Sequence, residues 1–396
     1  MLKAHPALGF LQDELGDLKK NGLHRRLRIL GTPQEPVSVI DGKKVVNLSS
    51  NNYLGLTTHP KLIQAAKKAI DDFGVGTAAV RSIIGTQTIH VQLEERLAKF
   101  KGTESAVVLQ SGFATNVAVV QSVMSDERDL LVSDELNHAS IIDGGRLSKA
   151  KRFIYPHRDV KALAGILEKN APGTRRRMIV TDGVFSMDGD VAPLPEIAAV
   201  AERFDALVMV DDAHASGVMG PNGRGTPSHF GLTDQIPIQI GTLSKAIAAI
   251  GGYVASTKEM QDFLFHKARP FLFSSSHPPS VTATCLAALD VLETDTERIK
   301  RLWKNTRFFK EELKKMGFDT GQSETPITPV MAGDTEKARK LEQGLFDEGV
   351  FALSITYPTV AKGKERVRTI MTSEHTQAHI ETALNAFLKI KKRLNI

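Results

Sequence analysis

From Ser105 onward the sequence repeats one pattern, a short and almost wholly apolar run followed by a segment with helical spacing. The runs are Ala106–Gln110, Asp129–Ser133, Lys151–Tyr155, Met178–Asp182, Ala206–Val210 and Ile236–Ile240, with helical stretches between most of them. A strand that is apolar on both sides must be covered on both sides, and connections long enough to hold a helix allow parallel pairing. The expected fold class is therefore α/β, with a mostly parallel central sheet covered by helices. In such sheets ligands collect beyond the carboxyl ends of the strands. The residues after each run are the first place to look for chemistry.

The flanks read differently. Leu8, Leu11, Leu15 and Leu18 fall at helical spacing and predict an amphipathic helix from about Leu8 to Leu30. Val37–Ile40 and Lys44–Leu48 read as a hairpin turning at Asp41-Gly42, followed by the polar segment Ser49-Ser50-Asn51-Asn52-Tyr53-Leu54-Gly55-Leu56. Helices are predicted from Pro60 to about Phe73 and from near Gln87. A helix-rich stretch from Pro278 leads out of the sheet, and Ile327–Met331, Val350–Ile355 and Val367–Met371 predict a second, smaller α/β unit that closes with a helix. The implied organisation is an N-terminal segment (1–48), a large domain (49–288) and a small C-terminal domain (289–396).

Composition removes several function classes. Cys285 is the one cysteine, so neither an intrachain disulfide nor a cysteine-based zinc site is available. Met1–Phe10 lacks the pattern of a signal peptide and no apolar run reaches membrane-spanning length, so the expected setting is cytoplasmic, without membrane association. The net charge of +6 is dispersed, apart from His24-Arg25-Arg26-Leu27-Arg28 and Arg175-Arg176-Arg177. Neither cluster carries the interleaved aromatics usual on a nucleic-acid surface; a phosphorylated substrate or cofactor fits at least as well, and a solvated face or loop fits equally.

Each strand end contributes a different group. Ser111-Gly112-Phe113-Ala114-Thr115-Asn116 opens a helix, where free N–H groups suit a phosphate. His138, in Asp134-Glu-Leu-Asn-His138-Ala-Ser140, is suited to metal binding, base catalysis or stacking on a planar ring. Asp182-Gly-Val-Phe-Ser186-Met-Asp188-Gly-Asp190 supplies hydroxyl and carboxylates without the spacing of a calcium loop. Val210-Asp211-Asp212-Ala213-His214 places an acid three residues before a histidine, which fits a metal half-site or a catalytic pair. Gly241-Thr242-Leu243-Ser244-Lys245 ends in a lysine among small residues, a nucleophile if burial destabilises its charge. A planar, phosphorylated aldehyde uses all of these groups, and pyridoxal 5′-phosphate is one. A Ser-Lys hydrolase built on Ser244 and Lys245 is the reading from another class.

Taken together with Ser50-Asn51-Asn52-Tyr53-Leu54-Gly55, these motifs resemble the α-oxoamine synthases, fold-type I pyridoxal-phosphate enzymes that condense an amino acid with an acyl-CoA and release CoA. The resemblance runs from about Leu11 to the C-terminus. It implies Lys245 as the covalent anchor and Asp211 as partner of the pyridine nitrogen. His214 and Ser186 would meet the ring oxygen, and His138 the ring face. Ser111, Gly112, Phe113 and Thr242 would hold the phosphate, and Ser274 or Ser276 would come from a neighbouring subunit, which implies a homodimer with shared sites. Arg368 with Asn51, and Arg26, are the implied substrate-binding residues, and no metal is implied. Gly76-Thr77-Ala78-Ala79-Val80-Arg81 and Ala246-Ile-Ala-Ala-Ile250 depart from the glycine-richer family pattern.

Within the family, the motifs around Lys245 and Asp188 resemble the glycine C-acetyltransferase group. The expectation is condensation of glycine with acetyl-CoA to 2-amino-3-oxobutanoate. The alternatives are 8-amino-7-oxononanoate synthesis from alanine and a pimeloyl donor, with decarboxylation, and a synthase of broad acyl specificity.

Overall fold

The computed structural model describes residues 5–21, 23, 24 and 26–394. The N-terminal hairpin consists of β1 (Val37–Ile40) and β2 (Lys43–Asn47). The central strands are β3 (Ser105–Leu109), β4 (Leu130–Asp134), β5 (Lys151–Tyr155), β6 (Arg177–Asp182), β7 (Leu207–Asp211), β8 (Ile238–Thr242) and β9 (Gly252–Ser256). The C-terminal part holds β10 (Ile327–Met331), β11 (Val350–Phe351), β12 (Leu353–Ile355) and β13 (Arg366–Ile370).

The seven-stranded sheet has the order β3-β9-β8-β7-β6-β4-β5. The adjacent pairs among β8, β7, β6, β4 and β5 are parallel, while β9 runs antiparallel to both neighbours, so β3 points the same way as the parallel set. The sequence pattern misses β9, because the glycines that begin it read as a loop. Helices Gly112–Val123 and Lys258–Lys267 pack Val119, Val120 and Leu264 on one face of the sheet. Helices Val160–Asn170 and Leu194–Arg203 pack Leu163, Leu167 and Ile197 on the other. Burying side chains such as these stabilises by roughly 1.5–3 kcal/mol each, and both faces of β4, β6 and β7 take part.

Two small sheets adjoin this layer. One is β1-β2-β11, in which Val46 pairs with Val350, so the N-terminal hairpin is completed by C-terminal chain. The other is β10-β13-β12. The predicted run Val350–Ile355 thus breaks at Ala352 into strands of different sheets, a pairing that local periodicity does not encode.

The N-terminal helix is shorter than its periodicity predicts, Phe10–Lys20, and none of its residues is buried. The expected burial of its apolar stripe is not seen among the described residues, where Leu11, Leu15 and Leu18 are exposed. Leu23 and His24 turn back to donate to Leu18 O, and nearer the hairpin Leu30 is bridged to Ile40 and the Ile29 N–H is donated to Asp41 Oδ1, so pairing with the hairpin, not helix, holds the end of the predicted span. Among the described residues no helix is long and apolar enough to cross a membrane.

Candidate active site

The carboxyl ends of the parallel strands and the helix start after β3 enclose a cavity of about 230 Å³. Ser111, Gly112, Phe113, His138, Ser186, Asp211, His214, Thr242 and Lys245 all line it. These nine residues come from five strand-end segments, and parallel register brings the segments together. Asp182 and Asp211, for instance, are directly paired on β6 and β7.

At one end of the cavity Ser111 caps the helix Gly112–Val123, its Oγ accepting the Ala114 N–H at 3.0 Å. A helix start leaves its first N–H groups without partners inside the helix and carries partial positive charge. A Cβ on Gly112 would lie 3.3 Å from Thr242 Cβ, so glycine here keeps the two segments in close approach. Thr242 Oγ1 is 2.8 Å from Ser244 Oγ, and that short pair occupies the Ser244 hydroxyl.

At the other end Asp211 is held rigidly. Its Oδ2 accepts from Asn116 Nδ2 at 2.6 Å and its Oδ1 from the Ala213 N–H at 2.9 Å. Asn116 also donates to Ser140 Oγ (2.9 Å), which in turn lies 2.7 Å from His138 Nδ1. One network therefore fixes both the acid and the histidine. His138 lines the cavity on one side and keeps part of its surface open to solvent. On the far side, His214 Nδ1 is 2.8 Å from the Tyr53 hydroxyl.

The charges are shaped mainly by burial. Burial lowers the Lys245 ammonium pKa and Arg368 adds to the effect, outweighing the opposite pull of Asp211 and Asp182. His214 is pushed well below its ordinary value by burial and then by Lys245, Arg368 and His138, and so is neutral. Burial also lowers His138, against the attraction of Asp211 and with help from Lys245. Asp182 is raised well above the usual carboxylate range by burial and by the Asp211 charge, so it is the second, protonatable acid of the site.

Other predicted residues lie elsewhere. Arg368 Nη2 is 3.4 Å from Asn51 Oδ1, a pair from opposite ends of the chain beside the cavity, and the charge of Arg368 is felt by both Lys245 and His214. Ser276 is buried against the segment that leads into the helix Thr88–Lys101, donating to Gly85 O at 2.7 Å and lying 2.8 Å from Thr77 Oγ1. Neither it nor Ser274 lines this chain's cavity. Arg26 is an exposed side chain 4.0 Å from Asp41, Arg28 pairs with Asp41 and Glu342, and Arg25 lies outside the described residues. In the second basic cluster Arg175 binds Asp129 and Arg176 donates to Val123 O, so both serve the frame of the sheet. The cavity also contains Asn116, Ser140 and Asp182, which sequence reasoning left without roles. Asn116 stands inside the helix-start motif, and its spacing of four from Gly112 was the available signal.

The donor set fits pyridoxal phosphate. The helix start at Gly112 offers the kind of N–H groups a phosphate takes, and the Asp211 carboxylate, fixed by Asn116 and Ala213, is the kind of group a protonated ring nitrogen takes. Two buried oxygens, Asn116 Oδ1 and Asp182 Oδ1, have no hydrogen-bond partner in the chain. Among the described residues no group of three or more metal-ligating side chains occurs.

Residues 43–387 match the family Aminotransferase class I and II. The chain is 56% identical to an 8-amino-7-oxononanoate synthase of Symbiobacterium thermophilum over 98% of both proteins. It is 53% identical to 8-amino-7-oxononanoate synthase 1 of Bacillus subtilis, again over 98% of each. A serine palmitoyltransferase from S. paucimobilis, solved with a bound PLP-myriocin aldimine, superposes with a TM-score of 0.92 at 33% identity over 100% of both chains. The chain belongs to the aminotransferase class I and II family, as a pyridoxal-phosphate-dependent acyltransferase of its α-oxoamine synthase group.

Proposed function

We propose that this protein is an 8-amino-7-oxononanoate synthase, joining alanine to a pimeloyl thioester with release of the thiol and CO₂. The observation that carries this reading is the near-full-length similarity to proteins of that name, which favours the pimeloyl alternative over the glycine and acetyl-CoA expectation. A hydrolase centred on Ser244 finds no support in the Ser244–Thr242 pair.

Lys245 is the covalent anchor for the cofactor aldehyde, and burial supports the role by disfavouring the charged form of its amine. Ser111, Gly112, Phe113 and Thr242 bind the phosphate. Asp211, fixed by Asn116 and Ala213, holds a proton at the pyridine nitrogen. His214 and Ser186 donate to the ring oxygen, while His138 covers one ring face. When bound, the cofactor supplies an electron sink for the carbanion formed at the amino-acid Cα. Arg368, steadied by Asn51, grips the substrate carboxylate through its guanidinium fork. With the cofactor bound, the Lys245 amine would take the Cα proton of alanine, and the bond from Cα to the thioester carbonyl would form as the C–S bond breaks and the thiol leaves. Ser274 or Ser276 reaches the phosphate of a second copy, so active sites are shared across a homodimer.

Turnover of purified protein with alanine or glycine against pimeloyl-, acetyl- and palmitoyl-CoA tests this reading. Alanine with the pimeloyl donor is expected to give the highest rate of CoA release, together with CO₂. Exclusive use of glycine with acetyl-CoA would overturn it. Borohydride is expected to fix the cofactor to the native chain and not to Lys245→Ala.

A further inference from the structure

Behind the loops that carry His138 and Ser186, His157 stands between two acids. Its Nδ1 is 3.0 Å from Asp134 Oδ1 and its Nε2 is 2.7 Å from Asp190 Oδ2. An ionised carboxylate only accepts, so both ring nitrogens must donate, and among the states of histidine only the imidazolium does so. Asp134 and Asp190 are 2% and 4% exposed, so neither can turn to water for a substitute partner.

The two acids sit outside the cavity, on the two loops that bring His138 and Ser186 to it. Asp134 ends β4, accepts the Leu136 and Arg158 N–H groups, and begins the loop to His138. Asp190 closes the turn that holds Ser186, with the Phe185 N–H donated to its carbonyl at 3.0 Å. The His157 ring also meets the Phe185 ring edge to face, centroids 4.4 Å apart, immediately before Ser186 in the chain. We propose that His157 is a positioning residue, an imidazolium that clamps the His138 loop to the Ser186 loop and so sets the width of the slot for the cofactor ring.

The inference rests on the reading of the cavity as the cofactor site and is independent of the acyl donor. It also predicts a pH dependence. Burial alone would lower the His157 pKa, but hydrogen bonds to Asp134 and Asp190 and their charges reverse this and push it up to about 9. The other charged groups around it are Glu135, which accepts the His157 N–H, Arg158, which reaches Asp190, and Glu324, 3.6 Å from Arg158. Because the folded value lies above the ordinary 6.5, the clamp's contribution is whole below that pH, declines above it, and is gone once pH has passed about 9. A deprotonated ring turns a lone pair toward one of the acids, and the two loops separate.

The test follows His157 in the holoenzyme by NMR of ¹³C-labelled histidine, with pyridoxal-phosphate affinity measured across the same alkaline range. His157 is expected to titrate near 9. Cofactor affinity should fall in step with it. Asp190→Asn should lower both midpoints together, by roughly one pH unit or more. His157→Gln should weaken cofactor binding roughly tenfold, as loss of an outer supporting partner does at other sites, and remove that alkaline step. If that variant does not fold, the native and Asp190→Asn titrations carry the test. An affinity curve that stays in place while the His157 titration moves overturns the inference alone. Failure of the native protein to bind pyridoxal phosphate overturns the site reading and the inference with it.

Discussion

The Tyr53 hydroxyl lies 2.8 Å from His214 Nδ1, across 161 residues of sequence. Burial raises the Tyr53 pKa and lowers that of His214, so a neutral phenol meets a neutral imidazole. When the phenol donates to Nδ1, the single imidazole proton sits on Nε2, where it can be given to an oxygen in the cavity. Tyr53→Phe deletes that bond at a cost of about 1 kcal/mol, hence roughly a fivefold fall in kcat/KM. The visible absorbance of the bound cofactor is expected to shift at the same time. An unchanged spectrum and rate would mean that His214 is oriented without Tyr53.

Gly252 begins the antiparallel strand β9 and touches the phosphate cradle from below. A Cβ there would lie 2.6 Å from the Gly112 nitrogen and closer still to Thr115 Oγ1. Backbone cannot yield as a flexible side chain does, so the helix start must move. Gly252→Ala is expected to weaken pyridoxal-phosphate binding by about tenfold or more, since roughly 1.4 kcal/mol of lost contact is enough. Equilibrium dialysis measures this directly, and native-like affinity would place the phosphate elsewhere.

Acid should destabilise the fold through two histidines. Burial lowers His277 and His375 to about 4 from an ordinary 6.5. Between those values the unfolded histidine binds a proton that the folded one refuses, so stability is lost as pH falls through that window. The expected signature is a falling urea midpoint between pH 6.5 and pH 4 that is reduced in His375→Gln. His375 Nδ1 accepts from the Thr372 N–H at 3.0 Å, a bond that glutamine can replace without titrating. The same slope in the variant would assign the acid sensitivity to other groups.

Two alanines occupy left-handed backbone, Ala78 at φ 50° and Ala248 at φ 63°. A Cβ in that conformation costs roughly 1–2 kcal/mol, against the smaller entropic cost of glycine in the unfolded chain. Ala78→Gly and Ala248→Gly are each expected to raise stability by about 0.5–1 kcal/mol. Thermal denaturation checks both. Lower stability would show that the Cβ contacts outweigh the strain.

The strand-end motifs were legible because each is local. Ser111, Gly112, Phe113, His138, Ser186, Asp211, His214, Thr242 and Lys245 could be assigned to one ligand before their distances were known, and all nine share the cavity. Asp182 escaped because its weight comes from Asp211 on the neighbouring strand. Sequence displays the positive charges of Arg26 and Arg175 but not Asp41 and Asp129, the acids that the fold sets beside them. The near-full-length relatives favour the pimeloyl alternative over glycine and acetyl-CoA, a choice that the residues near Lys245 and Asp188 could not make, since they hold the chemistry shared by the group and say little about the acyl pocket.

The sequence by itself determined the alternation of apolar strands and helices, the parallel character of most of the sheet, and the side-chain types after each strand. Those features follow from periodicity, capping and burial over a few residues. The tertiary structure decided what pairs at long range: β9 between β3 and β8, the N-terminal hairpin with β11, Asn51 with Arg368, Tyr53 with His214. Such contacts depend on which surfaces meet once the sheet is covered, and no short window of sequence contains both partners. Lys245 shows both sides of the division. Its identity and spacing marked it as an anchor, but its lowered pKa exists only because the fold buries it beside Arg368.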